Sequence, residues 1–302
     1  MGIEHDLNST FSRNPTCKDQ PGRIMHEHWR QLKLPPTPAT LWTELERRSP
    51  ALAFTGAFHL MMLFVATGLF FLDSREVLGI NAWIKPMKFM ASITIYLWTV
   101  AWLLAYIERP RWPVKTIAWG ISACMIIETA CLFIQTSRGV RSHFNHTTSF
   151  DSTIFAVMGI GILIATLLMI WMLILFFRNH ATLPRTYLLG IRLGIVVFLV
   201  GSVIGGGISA NGGHTIGGVD GGPGLPFVNW SLHAGDLRIA HAVGLHGLQI
   251  MPLLGYLLSR RMDREGASAA PAVILIAFTV LYSLLMLGTL LQAMAGIPVA
   301  SL

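Results

Sequence analysis

Residues 233–258 read HAGDLRIAHAVGLHGLQIMPLLGYLL, a largely apolar run that nevertheless carries Asp236, Arg238, His241, His246 and Gln249. A charge or an imidazole in hydrocarbon costs free energy, so ionisable groups in such a run face a bundle interior or a cavity and mark functional sites. Placed on a helix, Arg238, His241, His246, Gln249 and Tyr256 fall within an arc of roughly 140°. A second run shows the same property more sharply: Cys124, Glu128, Cys131, Gln135 and Arg138 form a stripe only about 80° wide. Lys88, Ser92, Thr99 and Tyr106 make a third stripe with Lys85 at its edge, and His59 lies near the middle of another run that ends at Asp73.

These residue types point to two chemistries. Histidines in a low-charge helical bundle can ligate haem iron or a transition metal. His59 and His246 lie at comparable depths and are the expected axial pair for a b-type haem. His241 is nearer the surface and five residues from His246, so the two rings diverge by about 140°. This suits His241, with Glu128 and Asp236, to moving protons or contacting substrate. The second chemistry is anion binding. Lys85, Lys88, Arg138, Arg141, His143 and Arg238, assisted by Gln135 and Gln249, offer the donors for a small anionic ligand. Each feature also has a plainer explanation. A single intramembrane histidine can simply bond a neighbouring helix. Cys124 and Cys131 are two turns, about 10 Å, apart, which is too far for a disulfide and suits small buried packing residues. In RGVRSHFNHTTSFD, Asp151, Thr148 or Ser149 can cap the next helix.

The elements that must position these residues are legible from composition. The chain has 302 residues, 53% hydrophobic and 12% charged. Soluble domains carry about 25% charged residues, so the class is an all-α multi-pass membrane protein in contact with the bilayer. Seven apolar runs satisfy the need for about 20 residues per span, near 50–72, 86–107, 114–136, 152–177, 186–207, 237–259 and 270–295. Residues 1–49 form a polar arm without a signal-peptide core, so the first span is its own insertion signal. The arm ends in a short amphipathic helix, TPATLWTELERR, with Thr37 as its cap and Pro38 at the first helical position. Residues 50–302 form the membrane domain. Three cysteines, Cys17, Cys124 and Cys131, give no disulfide framework.

Lysine and arginine set the orientation. Arg47, Arg48, Arg109, Arg111, Lys115, Arg178, Arg185, Arg260, Arg261 and Arg264 fall on one side. The other side carries Arg75, Lys85, Lys88, Arg138, Arg141 and Arg238. The positive-inside rule then places the N-terminus in the cytoplasm and the C-terminus outside, in a plasma (inner) membrane. The net charge of +7 is spread between the apolar runs, which does not suit nucleic acid. Three unusual loops fall on the outer side: INAWIKPMKF (80–89), TSRGVRSHFNHTTSFD (136–151) and the glycine-rich ISANGGHTIGGVDGGPGLPFVNWSLHAGD (208–236), between the fifth and sixth spans. The last lacks the phosphate-loop pattern, and HAGD with RIAHAVGLH is not the HExxH zinc motif. Phe227 and Trp230 suit a loop packed onto the bundle. The expectation is an outward-facing polar pocket lined by the first, second, third and sixth spans. The favoured activity is a haem- or metal-dependent membrane oxidoreductase with an unknown redox partner. A transporter or solute-binding protein for a small anion, and a sensor or assembly factor, are the alternatives.

Overall fold

The computed structural model describes residues 37–108, 110–178, 183–222, 224–226, 228–262 and 269–299. The expected flexible arm over residues 1–36, with Cys17, lies outside the described residues, as do Arg109, Arg264 and Phe227. Helix α1 (Pro38–Arg48) begins with a reciprocal cap between Thr37 and Thr40, and Pro38 occupies its first turn. These groups satisfy amide donors that a helix start otherwise leaves open. Leu45 is the buried residue of α1, so this helix lies on the bundle through one apolar edge.

Among the described residues, seven helices long and apolar enough to cross a membrane follow: α2 (Pro50–Leu72), α3 (Ile84–Leu104), α4 (Arg111–Ser137), α5 (Ser149–Arg178), α6 (Arg185–Asn211), α7 (Leu237–Met262) and α8 (Ala270–Met294). The helices extend a few residues beyond some of the apolar runs. Thr148 starts α5 by accepting the Asp151 N–H at 3.1 Å, the cap that the 136–151 loop offered. Gly212, with φ of +70°, ends α6, a left-handed position that glycine adopts without side-chain strain.

Packing is most extensive between α6 and α7, followed by α2 with α3, α4 with α5, and α7 with α8. The α6–α7 contact is close because both helices present small residues. A Cβ added to Gly244 would lie 2.4 Å from the Gly201 Cα. Small residues let helices approach in a membrane, where association relies on van der Waals packing. Gly244→Val should therefore force the pair apart. We expect it to lower the unfolding free energy by about 1–3 kcal/mol, visible as a fall in the thermal unfolding temperature. An unchanged temperature would show that the two backbones have room to separate.

An odd number of spans leaves the two ends of the helical domain at opposite ends of the bundle. The basic connectors gather at one end, and the three unusual loops at the other, here called the loop end. A reporter fused after Leu302 should be active outside the cytoplasm, and cytoplasmic activity would place the loop end inside.

At the loop end the chain forms one short hairpin and one short antiparallel pair. Strand β1 (Glu76–Val77) pairs with β2 (Ile80–Asn81), and β3 (Thr215–Ile216) pairs with β4 (Gly235–Asp236). The hairpin is braced by Asp73, which accepts from Arg75 and from Trp83 Nε1 at 2.8 Å. Arg75 and then Trp83 hold the Asp73 carboxyl far below the usual carboxylate range. The hairpin's Leu78 carbonyl accepts the Gly222 N–H at 2.8 Å. The long glycine-rich segment thus packs down as a roof over the loop end.

Candidate functional site

The roof covers a cluster of ionisable side chains that sequence order keeps far apart. Lys85, at the start of α3, donates from Nζ to His143 Nδ1 at 3.1 Å. An ammonium can only donate, so Nδ1 is the acceptor and the proton of the neutral ring sits on Nε2. That nitrogen faces Glu128 Oε1 at 3.6 Å. Glu128 projects from the middle of α4 and is 2% exposed. Neither of its oxygens has a hydrogen-bond partner in the protein. Buried side-chain oxygens are almost always hydrogen-bonded, so Glu128 is the exception that needs a reason.

Around this Lys85–His143–Glu128 chain, other charges pair off. Arg238 binds Asp236 through Nε at 2.9 Å and Nη2 at 2.6 Å, and also donates to the Asn229 carbonyl at 2.6 Å. Arg141 donates to Asp220 Oδ2 at 3.2 Å. Asp220 in turn accepts the Thr215 N–H at 3.0 Å and faces His214 Nδ1 at 3.5 Å. Lys88 lies one turn beyond Lys85 and donates to the Val228 carbonyl at 2.9 Å. Four cations (Lys85, Lys88, Arg141 and Arg238) thus meet three carboxylates (Glu128, Asp220 and Asp236). The Arg141–Asp220 and Arg238–Asp236 pairs leave two lysines against one carboxylate. With every one of these groups ionised, the cluster would carry one surplus positive charge.

The two roofed imidazoles are held in their neutral forms. Burial, and then the Lys85 ammonium, push His143 well below the ordinary histidine range. Burial, and then Arg238, lower His214 to about 4, although Asp220 and Asp236 pull the other way. In the unfolded chain both titrate near pH 6.5. The unfolded state therefore binds more protons between that pH and the native value. Stability from keeping these rings neutral is complete above about pH 6.5 and is lost as pH falls toward 4. The unfolding temperature should drop between pH 7 and pH 4.5, and His214→Gln should remove part of that drop. A variant with the wild-type slope would contradict a depressed His214.

The remaining candidates lie elsewhere. Arg138 and Gln135 turn to Asp151, at 2.5 Å and 2.8 Å, and to each other. They form a clamp between the end of α4 and the start of α5, so Arg138 is spent before it can join the cluster. His59 is fully buried between α2 and α4. Its Nδ1 bonds the Thr55 carbonyl at 2.7 Å, and its Nε2 lies 2.8 Å from Thr129 Oγ1 and 3.3 Å from the Met125 carbonyl. Both ring nitrogens are thus in use. His246 is exposed on α7, so His59 and His246 do not share an environment as an axial pair would. His241 rests over Gly205 of α6 and bonds the Gly201 carbonyl through Nδ1 at 2.8 Å. Gln249 donates to Thr99 Oγ1 at 3.2 Å, toward the basic end. Cys124 and Cys131 are buried free thiols. Among the described residues, no group of three or more His, Cys, Asp or Glu side chains is placed to hold a metal ion.

No family model, curated protein or solved structure matches the chain. The site therefore stands on its own residues. His214 and Asp220 belong to it although composition had marked their segment only as glycine-rich. Their signal was available: two ionisable side chains amid glycines that otherwise carry no side chain.

Proposed function

We propose that this membrane protein binds, and passes across the bilayer, a small organic anion that also carries a hydrogen-bond donor. The buried Lys85–His143–Glu128 chain, ending on a carboxylate without a donor, is the observation that carries this reading. The surplus ammonium charge of Lys85 and Lys88 suits the anionic end of such a solute. Glu128 suits its hydroxyl or N–H, which would satisfy an oxygen pair that the protein leaves open. The described residues of the glycine-rich roof then act as the cover of the site, held by Arg141, Lys88 and Arg238. The solute reading is preferred to haem ligation because His59 would have to release Thr129 to reach a metal.

The test is ligand-dependent stabilisation of the full chain in detergent, with lactate and propionate as a matched pair that differs by one hydroxyl. A ligand at one hundred times its dissociation constant adds about 2.7 kcal/mol to stability. Lactate should raise the unfolding temperature at a lower concentration than propionate. Equal effects of the two, or equal stabilisation by a matched organic cation, would remove the reading.

A further inference from the structure

A separate cavity of about 360 Å³ opens between α1, α3, α6 and α7 at the basic end. It does not rest on the solute reading, since it shares none of the roofed residues. Its walls are unusually aromatic, with Trp98, Trp102, Tyr106 and Tyr187 among them. Arg48 fixes one rim. Its guanidinium stacks 3.9 Å from the Trp102 ring centroid, donates to the Trp102 carbonyl at 2.9 Å and pairs with Glu44 at 2.7 Å. The opposite side is open to the bundle's outer surface through Ile95 and Leu253, which are 47% and 51% exposed. Helices α3 and α7 meet far less closely than α6 and α7 do, so this mouth faces the hydrocarbon.

One residue lining this apolar groove, Gln249, carries a polar atom without a partner. The Thr99 hydroxyl donates to the Ile95 carbonyl at 2.7 Å, so toward Gln249 it can only accept. That fixes the amide: Gln249 Nε2 donates to Thr99 at 3.2 Å, and Gln249 Oε1 is left buried without a partner. Nearby, the Tyr187 hydroxyl donates to that of Tyr106 at 3.5 Å. The groove therefore asks for an apolar body, a face that packs on aromatic rings, and one hydrogen-bond donor.

We infer that this groove binds the hydroxylated ring of a quinol-type lipid, with the ring hydroxyl donating to Gln249 Oε1 and the apolar tail leaving past Ile95 and Leu253. The aromatic walls favour a planar ring head over an aliphatic alcohol. The volume accommodates one ring and the first part of a tail, near the lower end of small-molecule sites.

Equilibrium binding of a radiolabelled short-tailed benzoquinol to the full chain in detergent tests this. Wild type should bind one quinol per chain, saturably. The quinol dimethyl ether, which lacks the donor, should bind at least tenfold more weakly. Gln249→Leu should weaken the quinol to the level of the ether and leave the ether unchanged. A fatty alcohol with the same tail should not displace the quinol at equal concentration. Ether binding as tight as quinol binding, or displacement by the alcohol with equal potency, would overturn the proposal. If Gln249→Leu fails to fold, as shown by its thermal unfolding, the comparison of quinol and ether on wild type decides alone.

Discussion

Replacing Asp236 by Ala should lower the unfolding free energy by about 3–5 kcal/mol, the range expected when one partner of a buried ion pair is removed. The Asp236 side chain is 1% exposed and accepts from four donors. These are the Ser231 N–H at 2.9 Å, the Arg238 N–H at 3.0 Å, and the Arg238 guanidinium at 2.9 Å and 2.6 Å. Burial pushes this carboxyl up, but Arg238 and the Ser231 amide outweigh burial and hold it below the usual range. Its contribution is therefore present above the unfolded carboxyl value, near pH 4, and is lost as pH falls below it. The double variant Asp236→Ala/Arg238→Ala should cost less than the sum of the two single changes, because the stranded guanidinium is removed with its partner. Limited proteolysis gives the local readout: the single variant should be cut within residues 212–236 long before the helices are. If Asp236→Ala keeps the wild-type unfolding temperature and protease resistance, the roof is held by the hairpin and glycine contacts alone.

The architecture was legible because membrane spans are written in continuous residue types. Each of α2–α8 coincides with an apolar run, and the cap at Thr37 follows from a local pattern. Burial of Glu128 was legible too, since a short acidic side chain several turns into a span has nowhere polar to go. Partner choice was not legible, because periodicity describes one helix at a time. Nothing local signals that Lys85 meets His143, 58 positions later, or that His59 is held by Thr129, 70 positions later. Arg138 shows the same limit at short range. It shares a basic segment with Arg141, yet Asp151 takes Arg138 and Asp220 takes Arg141. The polar arc on α7 does not line one cavity: Arg238 joins the roof, His241 meets α6, Gln249 turns to α3, and His246 is exposed.

Whether the Lys85–His143–Glu128 chain exists for function or for stability can be decided without knowing the solute. A buried ionic arrangement that serves packing loses stability when its charges are removed. One that serves a ligand does not, because desolvating the charges already costs more than their attraction returns. Replacing a buried ion pair by apolar residues of similar volume is often neutral or stabilising by about 1–4 kcal/mol. Here the balance tilts further that way, since the Glu128 oxygens gain no hydrogen bond from the protein. The double variant Lys85→Met/Glu128→Leu should therefore unfold at or above the wild-type temperature while losing all stabilisation by lactate. Lys88→Met should weaken lactate about tenfold or more and leave the fold intact, because its ammonium donates to a single roof carbonyl, that of Val228. A double variant that unfolds well below the wild-type temperature would assign the chain a structural role. A double variant that keeps both its stability and its lactate response would place the solute elsewhere. Only the combination of retained stability and abolished response fits a carboxylate kept unpartnered for a ligand, which is the trade between stability and activity that functional sites exhibit.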